Sequence, residues 1–435
     1  MQAQFETHIQ NHFPFLKEGK VLVACSGGLD SVVLAHLCNQ AGMYIALAHC
    51  NFKLRGDESD GDEEFVRELA ETLEVEVHKK SFDTVKYAEE NRGSIQMAAR
   101  KLRYDWFEEL MEAHGFQYVL TAHHADDALE TFLINLSRGT GIDGLSGIQA
   151  QNGNVIRPLL PFSRQAILDF AQKEHLEWRE DSSNEDTKYL RNKIRHQLVP
   201  KLKELHPTFL QNFGVTQEHL NHSRNLISNY IDSVRADLFE ERDDEIRINI
   251  ENMLQLRPLE SHLYELFKEY GFVVWEDTKA LSMASSGKEL HSKTHRLLKD
   301  RSHLILSKNG NAVNQKYWIV NQKSLVKFPV PLKFEHADSI ENSSPQVIFV
   351  DKEKLNYPLL LRKWEKGDYF YPFGMQGKKK LSKFFKDEKM DVFSKEKQWL
   401  LCSGDAIVWV LGKRLDERFK VETTTQQILK ISLLV

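Results

Sequence analysis

The chain has 435 residues, 41% of them hydrophobic and 28% charged, with a formal net charge of −5. This length is too great for one hydrophobic core and predicts two or three domains, and the composition excludes fibrous and disordered classes. No apolar run is long enough to span a bilayer.

Met1–Glu6 lacks the basic and apolar regions of a secretory leader, so a cytoplasmic location without membrane contact is expected. The four cysteines, Cys25, Cys38, Cys50 and Cys402, form no Cys-x-x-Cys pair. That spacing suits a reduced compartment and speaks against zinc, iron–sulfur or paired-thiol chemistry. The net charge does not advertise a nucleic-acid binder, but it is unevenly spread. Asp57–Glu64 is acidic and reads as a candidate mobile loop, whereas Lys378–Lys386 holds five lysines and two phenylalanines. A local polyanion site therefore stays open.

Strand-like runs at Val21–Cys25, Tyr44–Cys50, Val75–His78 and Tyr118–Ala122 alternate with helix-like runs near 30–41, 59–74, 94–114 and 126–137. This alternation predicts an α/β domain whose parallel sheet is covered on both faces, with ligands at the carboxyl ends of the strands. Ser163 is the expected N-cap of a helix over Arg164–Glu174. The first domain is placed at 1–205. A mostly helical middle domain is expected over 206–308, with a long helix over 208–240 and another over 257–271. Residues 309–346 read as a linker with some strand, and 347–435 as a small α+β domain.

Ser26-Gly27-Gly28-Leu29-Asp30-Ser31 joins the first strand to the first helix of the alternating region. A strand that breaks at two glycines and restarts as a helix cradles polyphosphate with backbone N–H groups and the helix dipole. Ser26 and Ser31 add hydroxyls, and Asp30 calls for a Mg²⁺ between itself and phosphate. No Gly-Lys-Ser/Thr follows, so this is not a Walker A loop. The motif resembles the PP-loop of the ATP pyrophosphatase superfamily, and the resemblance implies ATP cleavage to AMP and pyrophosphate.

A second loaded segment, His123-His124-Ala125-Asp126-Asp127-Ala128-Leu129-Glu130, leaves the fourth strand-like run. Asp127 and Glu130 are three apart and share a helix face, which suits Mg²⁺ or an amine substrate. Asp126 reads as an N-terminal acid complementing the dipole. A zinc site built on the two histidines is disfavoured for want of a third ligand. Arg100 and Arg103 share a face suited to phosphate or carboxylate. His49 to Arg55 leaves the second strand-like run, where a nucleotide loop would sit. Asp181–Asn184 precedes Arg191 and Arg195, four apart on an anion-binding face.

Together with Arg138-Gly139-Thr140-Gly141, Arg157-Pro158-Leu159, Gly367-Asp368 and Gly374-Met375 with Lys379-Lys380-Leu381, these pieces resemble the tRNA(Ile)-lysidine synthetase family over almost the whole chain, most weakly over 208–345. Phe52 stands where that family often has a second His, and Tyr369 where many members have Arg. The resemblance implies ATP and Mg²⁺ as cofactors, and free L-lysine and an isoleucine tRNA with a CAU anticodon as partners. It further implies lysine ligation to C2 of the wobble cytidine through an adenylated tRNA. On this reading Ser26, Gly27, Gly28, Leu29, Asp30, Ser31, His49 and His123 bind nucleotide. Asp30 and Asp127 hold the metal, and Asp30, Arg103, Asp127 and Glu130 are catalytic. Arg191, Arg195, Lys378, Lys379, Lys380 and Lys383 contact tRNA, while Phe384 and Phe385 belong to a core. The oligomeric state is left open, with a homodimer among the options. A small-molecule PP-loop ligase and a non-catalytic tRNA binder stay as alternatives.

Overall fold

The computed structural model describes residues 1–180, 190–242, 244–309, 316–319, 325–326, 329–390 and 392–434. They form two compact units, Met1–Asn229 and Tyr230–Val435.

The first unit opens with α1 (Gln2–His12), followed by β1 (Val21–Ala24), α2 (Leu29–Gln40), β2 (Ile45–Asn51), α3 (Asp57–Leu73) and β3 (Glu76–Ser81). Then come α4 (Thr84–Glu90), α5 (Ile95–His114), β4 (Tyr118–Leu120), α6 (Ala125–Ser137), α7 (Ile142–Leu145), β5 (Gln151–Asn152), β6 (Val155–Ile156) and α8 (Arg164–Lys173). After residues 181–189, which lie outside the described set, α9 (Leu190–Lys193), a π-turn over Ile194–Leu198, α10 (Val199–Leu205) and α11 (Phe209–Leu238) follow, and the last turns of α11 from Tyr230 belong to the second unit.

The sheet order is β3-β2-β1-β4-β6-β5, parallel except for β5. This is the expected α/β architecture, and alternation along the strands explains its two covered faces. Val21, Val23, Ile45, Leu47 and Leu120 pack beneath α1, α2, α3 and α8. Leu22, Ala46, Ala48 and Val119 face Trp106, Phe107 and Leu110 of α5. Ser163 caps α8 by accepting from the Ala166 N–H, as expected.

In the second unit the expectation of a mostly helical middle domain is corrected. Helices over Leu259–Phe267 and Trp275–Met283 are present, but residues 239–308 also carry a five-stranded antiparallel sheet. Ile248, Leu297, Leu304 and Leu306 of that sheet share one core with Leu263, Leu266 and Phe267. Its central hairpin pairs Asp300 with His303 around Arg301-Ser302, with Arg301 at φ 47°. A two-residue hairpin of this kind ordinarily signals itself with Asn-Gly or Asp-Gly, so the sequence carried no turn mark there.

The strand expected within the linker stretch is present and ties that stretch into the sheets that follow. Tyr317–Ile319 pairs with Leu359–Leu361, and Leu332–Ala337 pairs along its length with Ile428–Leu433. These strands belong to two small antiparallel sheets that enclose Trp409, Val408, Leu401 and Ile431. Within Lys378–Lys386, Lys379–Lys380 is a short strand and Leu381–Asp387 a helix. Its Phe384 and Phe385 are buried as expected. Among the described residues no helix is long and apolar enough to cross a membrane.

His8 of α1 packs against Phe13 and Phe162. Burial, then the neighbouring His12, pushes its pKa down to about 4. An unfolded chain protonates this imidazole near its ordinary value of about 6.5. Between those two values the unfolded state binds more protons, so this contribution is complete above the upper value and is lost as pH falls toward the lower one. His8→Asn is expected to reduce the loss of stability between pH 7 and 5 by about 1 kcal/mol after solvent screening. Urea unfolding of wild type and variant at both pH values checks this.

Candidate active site

The Gly-Gly loop leaves the carboxyl end of β1 and enters α2. Gly27 sits at φ +87°, where a side chain is strained, and a Cβ there would lie 3.4 Å from the Phe65 ring. Gly28 is the N-cap of α2, and no side chain caps that turn. The first N–H groups of the helix are thus left to an anion. Ser31 is buried and donates to the Gly28 carbonyl at 2.9 Å, while the Ser26 N–H donates to the Ser31 hydroxyl at 3.1 Å. The two hydroxyls lie 3.2 Å apart. Below the loop, His49 Nδ1 lies 3.0 Å from the Cys25 carbonyl, and burial holds its imidazole below the ordinary pKa. His49 therefore props the strand end on which the loop sits.

The second segment leaves β4 and enters α6. His124 is the N-cap of α6 and is 2% exposed. It forms a capping box with Asp127, in which the Asp127 N–H donates to the His124 ring and the His124 N–H donates to the Asp127 carboxylate. Its Nε2 lies 3.6 Å from Asp30 and 3.5 Å from Asp127. Burial works against a charge on this ring, but Asp30, Asp127 and Asp126 more than offset it and raise its pKa. From sequence, His124 stood only in a disfavoured zinc site. The readable signal was a polar residue just before a helix with Asp three positions later.

Asp30 and Asp127 face this imidazole, and Arg195 links Asp127 to Glu130. Glu130 is 1% exposed and accepts from Arg195 at 2.6 and 3.1 Å, and Arg191 approaches it to 3.2 Å. Arg195 also donates to Asp127 at 3.1 Å. Burial opposes the Arg195 charge, and Glu130 and Asp127 hold it well protonated. Asp126 turns away to the Arg164 N–H and Lys203, tying α6 to α8 and α10. Beside the acids lies a cavity of about 450 Å³, lined by Leu29, Glu130, Arg164, Trp178, Arg195 and Lys203.

The oxygen set suits a hard cation. Asp30 Oδ1 is buried with no hydrogen-bond partner, as a ligand oxygen would be. Asp30 and Asp127 both face His124, so two carboxylates are already convergent. These residues fit Mg²⁺.

Other expected site residues are placed elsewhere. The Arg103 guanidinium lies 5.2 Å over the ring of Phe52, which stacks on Phe82 at 5.7 Å. Phe52, standing where an imidazole is frequent, is thus part of an apolar and cation–π stack. His123 bonds to the Thr121 hydroxyl at 3.0 Å, and burial pushes its pKa down to about 4. The acidic run 57–64 is no loop. It forms the first turns of α3, where its acids complement the helix dipole. Asp62 there is salt-bridged to Arg55 and Arg179 at 2.8 and 2.7 Å.

In the second unit, Lys378 lies 5.2 Å over the Tyr369 ring, and Lys379 pairs with Asp387 at 2.8 Å. Lys380 and Lys383 are exposed. Asp181–Asn184 lies outside the described residues.

Glu130→Ala would leave Arg195 with Asp127 as its carboxylate partner and Arg191 with the Thr131 hydroxyl. Both retain some water contact, so the cost should fall below that of a fully buried ion pair, at about 2–3 kcal/mol. Denaturant unfolding is expected to show it, with Arg195→Met in the same background restoring part of the loss.

Residues 1–202 of the chain match the PP-loop domain family, 241–309 the TilS substrate binding domain, and 359–433 the TilS substrate C-terminal domain. The chain is 41% identical over 433 residues to a tRNA(Ile)-lysidine synthase of Parabacteroides distasonis, covering 98% of each. It is 37% identical over 438 residues to the protein of the same description from Bacteroides thetaiotaomicron, covering 99% of each. With that of Porphyromonas gingivalis it shares 35% over 431 residues, covering 95% of this chain and 94% of the other.

Proposed function

The chain belongs to the tRNA(Ile)-lysidine synthase family, an ATP-using group that forms lysidine on tRNA(Ile), and we propose that it joins free lysine to C2 of the wobble cytidine of a CAU-anticodon tRNA. The reaction runs through an adenylated base. The cytidine C2 oxygen attacks the α-phosphorus of ATP and pyrophosphate leaves. The ε-amine of lysine then forms a C–N bond at C2, and the C2–O bond breaks to release AMP. The observation that carries this reading is the chain of contacts after the Gly-Gly loop, in which buried His124 faces Asp30 and Asp127 and Arg195 links Asp127 to Glu130.

The loop's N–H groups, with Ser26, hold the pyrophosphate portion. Asp30 and Asp127 would hold Mg²⁺, which when bound neutralises the pyrophosphate leaving group. Lysine arrives as an ammonium without a lone pair, so a carboxylate must take a proton before attack. Asp127 and Glu130 are the groups for that step. Arg195 now lies against them, and a guanidinium there marks the place where a substrate cation is stabilised. Arg195 also stands ready to offset charge on the α-phosphate. Arg103, held over Phe52, supports the neighbouring strand end in this reading.

Lys378, Lys380 and Lys383 are exposed and suited to tRNA phosphates, whereas the pairing of Lys379 with Asp387 weakens its share. Phosphate contacts position the tRNA, and an unstacked wobble base supplies selection. A cytoplasmic location fits such a substrate.

With ATP and Mg²⁺, wild type is expected to incorporate radiolabelled lysine into CAU-anticodon isoleucine tRNA, and Asp30→Ala to incorporate none. ATP cleavage with another acceptor, and no label in this tRNA, would overturn the substrate assignment. Replacing Lys380 and Lys383 together by Ala is expected to raise KM for tRNA with little change in kcat. The salt dependence of tRNA binding should then flatten by about one to two units of slope.

A further inference from the structure

β3 is the edge strand of the first unit's sheet, so one of its sides has no strand neighbour among the described residues. Alternation puts Glu76, His78 and Lys80 on one face of it. Their register partners Ala46 and Ala48, and the pairing of Lys80 with Glu109 at 2.6 Å, identify that face as the one covered by α5. The last residue of α5 is His114. Its ring meets that of His78 at a centroid distance of 4.4 Å, and Phe116 packs edge-on against His78 at 5.6 Å. One ligand atom each from Glu76, His78 and His114 lies within 4.8 Å of the other two. His78 Nε2 is buried and has no hydrogen-bond partner, although a Glu76 oxygen stands 3.3 Å away.

We propose that Glu76, His78 and His114 form a binding site for a borderline divalent transition-metal ion, foremost Zn²⁺, on the edge of the sheet. Two imidazoles and one carboxylate are the donor set such ions prefer, with a fourth position left to water. Oxygen-only ions such as Mg²⁺ are poorly served by it. Bonds of about 2.0–2.2 Å would draw the three donors closer together. Glu76 and His114 are exposed and free to swing, while His78 is held by the aromatic wall. Burial lowers the His78 pKa, with Glu76 opposing and His114 adding to the shift, which favours the neutral ring that a metal requires.

The cluster stands apart from the nucleotide machinery. The Gly-Gly loop follows the carboxyl end of β1, whereas Glu76 begins β3 and His114 precedes β4. A bound ion would clamp the edge strand to the end of α5 and stabilise the first unit by mass action.

The test uses the full chain, stripped with a chelator and dialysed free of Mg²⁺, then titrated with zinc sulfate by calorimetry. Wild type and Asp30→Ala are each expected to bind one histidine-dependent ion and to gain thermal stability with it. In His78→Gln and His114→Ala the affinity is expected to fall by about tenfold or more, and the gain in Tm to vanish. His114 is exposed at a helix end, so its variant decides the matter even if His78→Gln folds poorly. Unchanged affinity in His114→Ala overturns the proposal, as does absence of saturable binding by wild type at micromolar zinc. Loss of the ion in Asp30→Ala with retention in His114→Ala would place it among the nucleotide-site acids and equally overturn it.

Discussion

Confined negative charge governs the catalytic end of this molecule. Asp30, Asp127 and Glu130 are drawn together where β1 and β4 end, and carboxylates so close repel strongly in a partly desolvated site. The fold answers with three cationic or proton-bearing groups. His124 is buried between Asp30 and Asp127, and Arg195 bridges Asp127 and Glu130 with Arg191 beside it. The raised His124 pKa and the well-protonated Arg195 are two expressions of the same field. A site held in this balance is prepared for other cations. An ammonium and a divalent ion are what the proposed reaction brings.

The same constraint organises the surrounding elements. Arg191 and Arg195 lie in α9 and the π-turn after it, four residues apart. Their pairing with Glu130 brings that segment against α6, and Ile194 and Val199 bury beside Leu129. Asp126 lines the same cavity but is engaged by Lys203 and the Arg164 N–H, so one of four neighbouring acids ties helices together. Further along the sheet, Phe52, Phe82 and Arg103 make a stacked support at the ends of β2 and β3. An aromatic ring there substitutes packing for the polar role an imidazole would have, and it occupies Arg103 as it does so.

The second unit follows a different economy. Its strands pair antiparallel, and each sheet hides one face in a core of Leu, Ile, Val and Trp. The lysines of 378–386 stay outside while Phe384 and Phe385 anchor their helix. Tyr369, where an Arg is common, presents its ring to Lys378. A cation is thus held at that spot by Lys378.

The sequence by itself determined the α/β unit, the Gly-Gly loop and the pair Asp127 and Glu130. Each of these is local: alternating apolar runs, two glycines between a strand and a helix, and two acids one turn apart. Phe384 and Phe385 were legible too, as the bulky apolar residues of an otherwise lysine-rich helical stretch. Only the tertiary structure decided what meets across the chain. That Arg195 closes on Glu130, 65 residues away in sequence, and that His124 faces Asp30 rather than solvent, are not written in any local pattern. The same holds for the Arg301-Ser302 hairpin and for Leu332–Ala337, whose strand character comes from pairing with Ile428–Leu433. The acids of 57–64 looked like a solvated loop because charge without partners reads that way. Folding supplied the helix dipole together with Arg55 and Arg179, and turned that run into the start of α3.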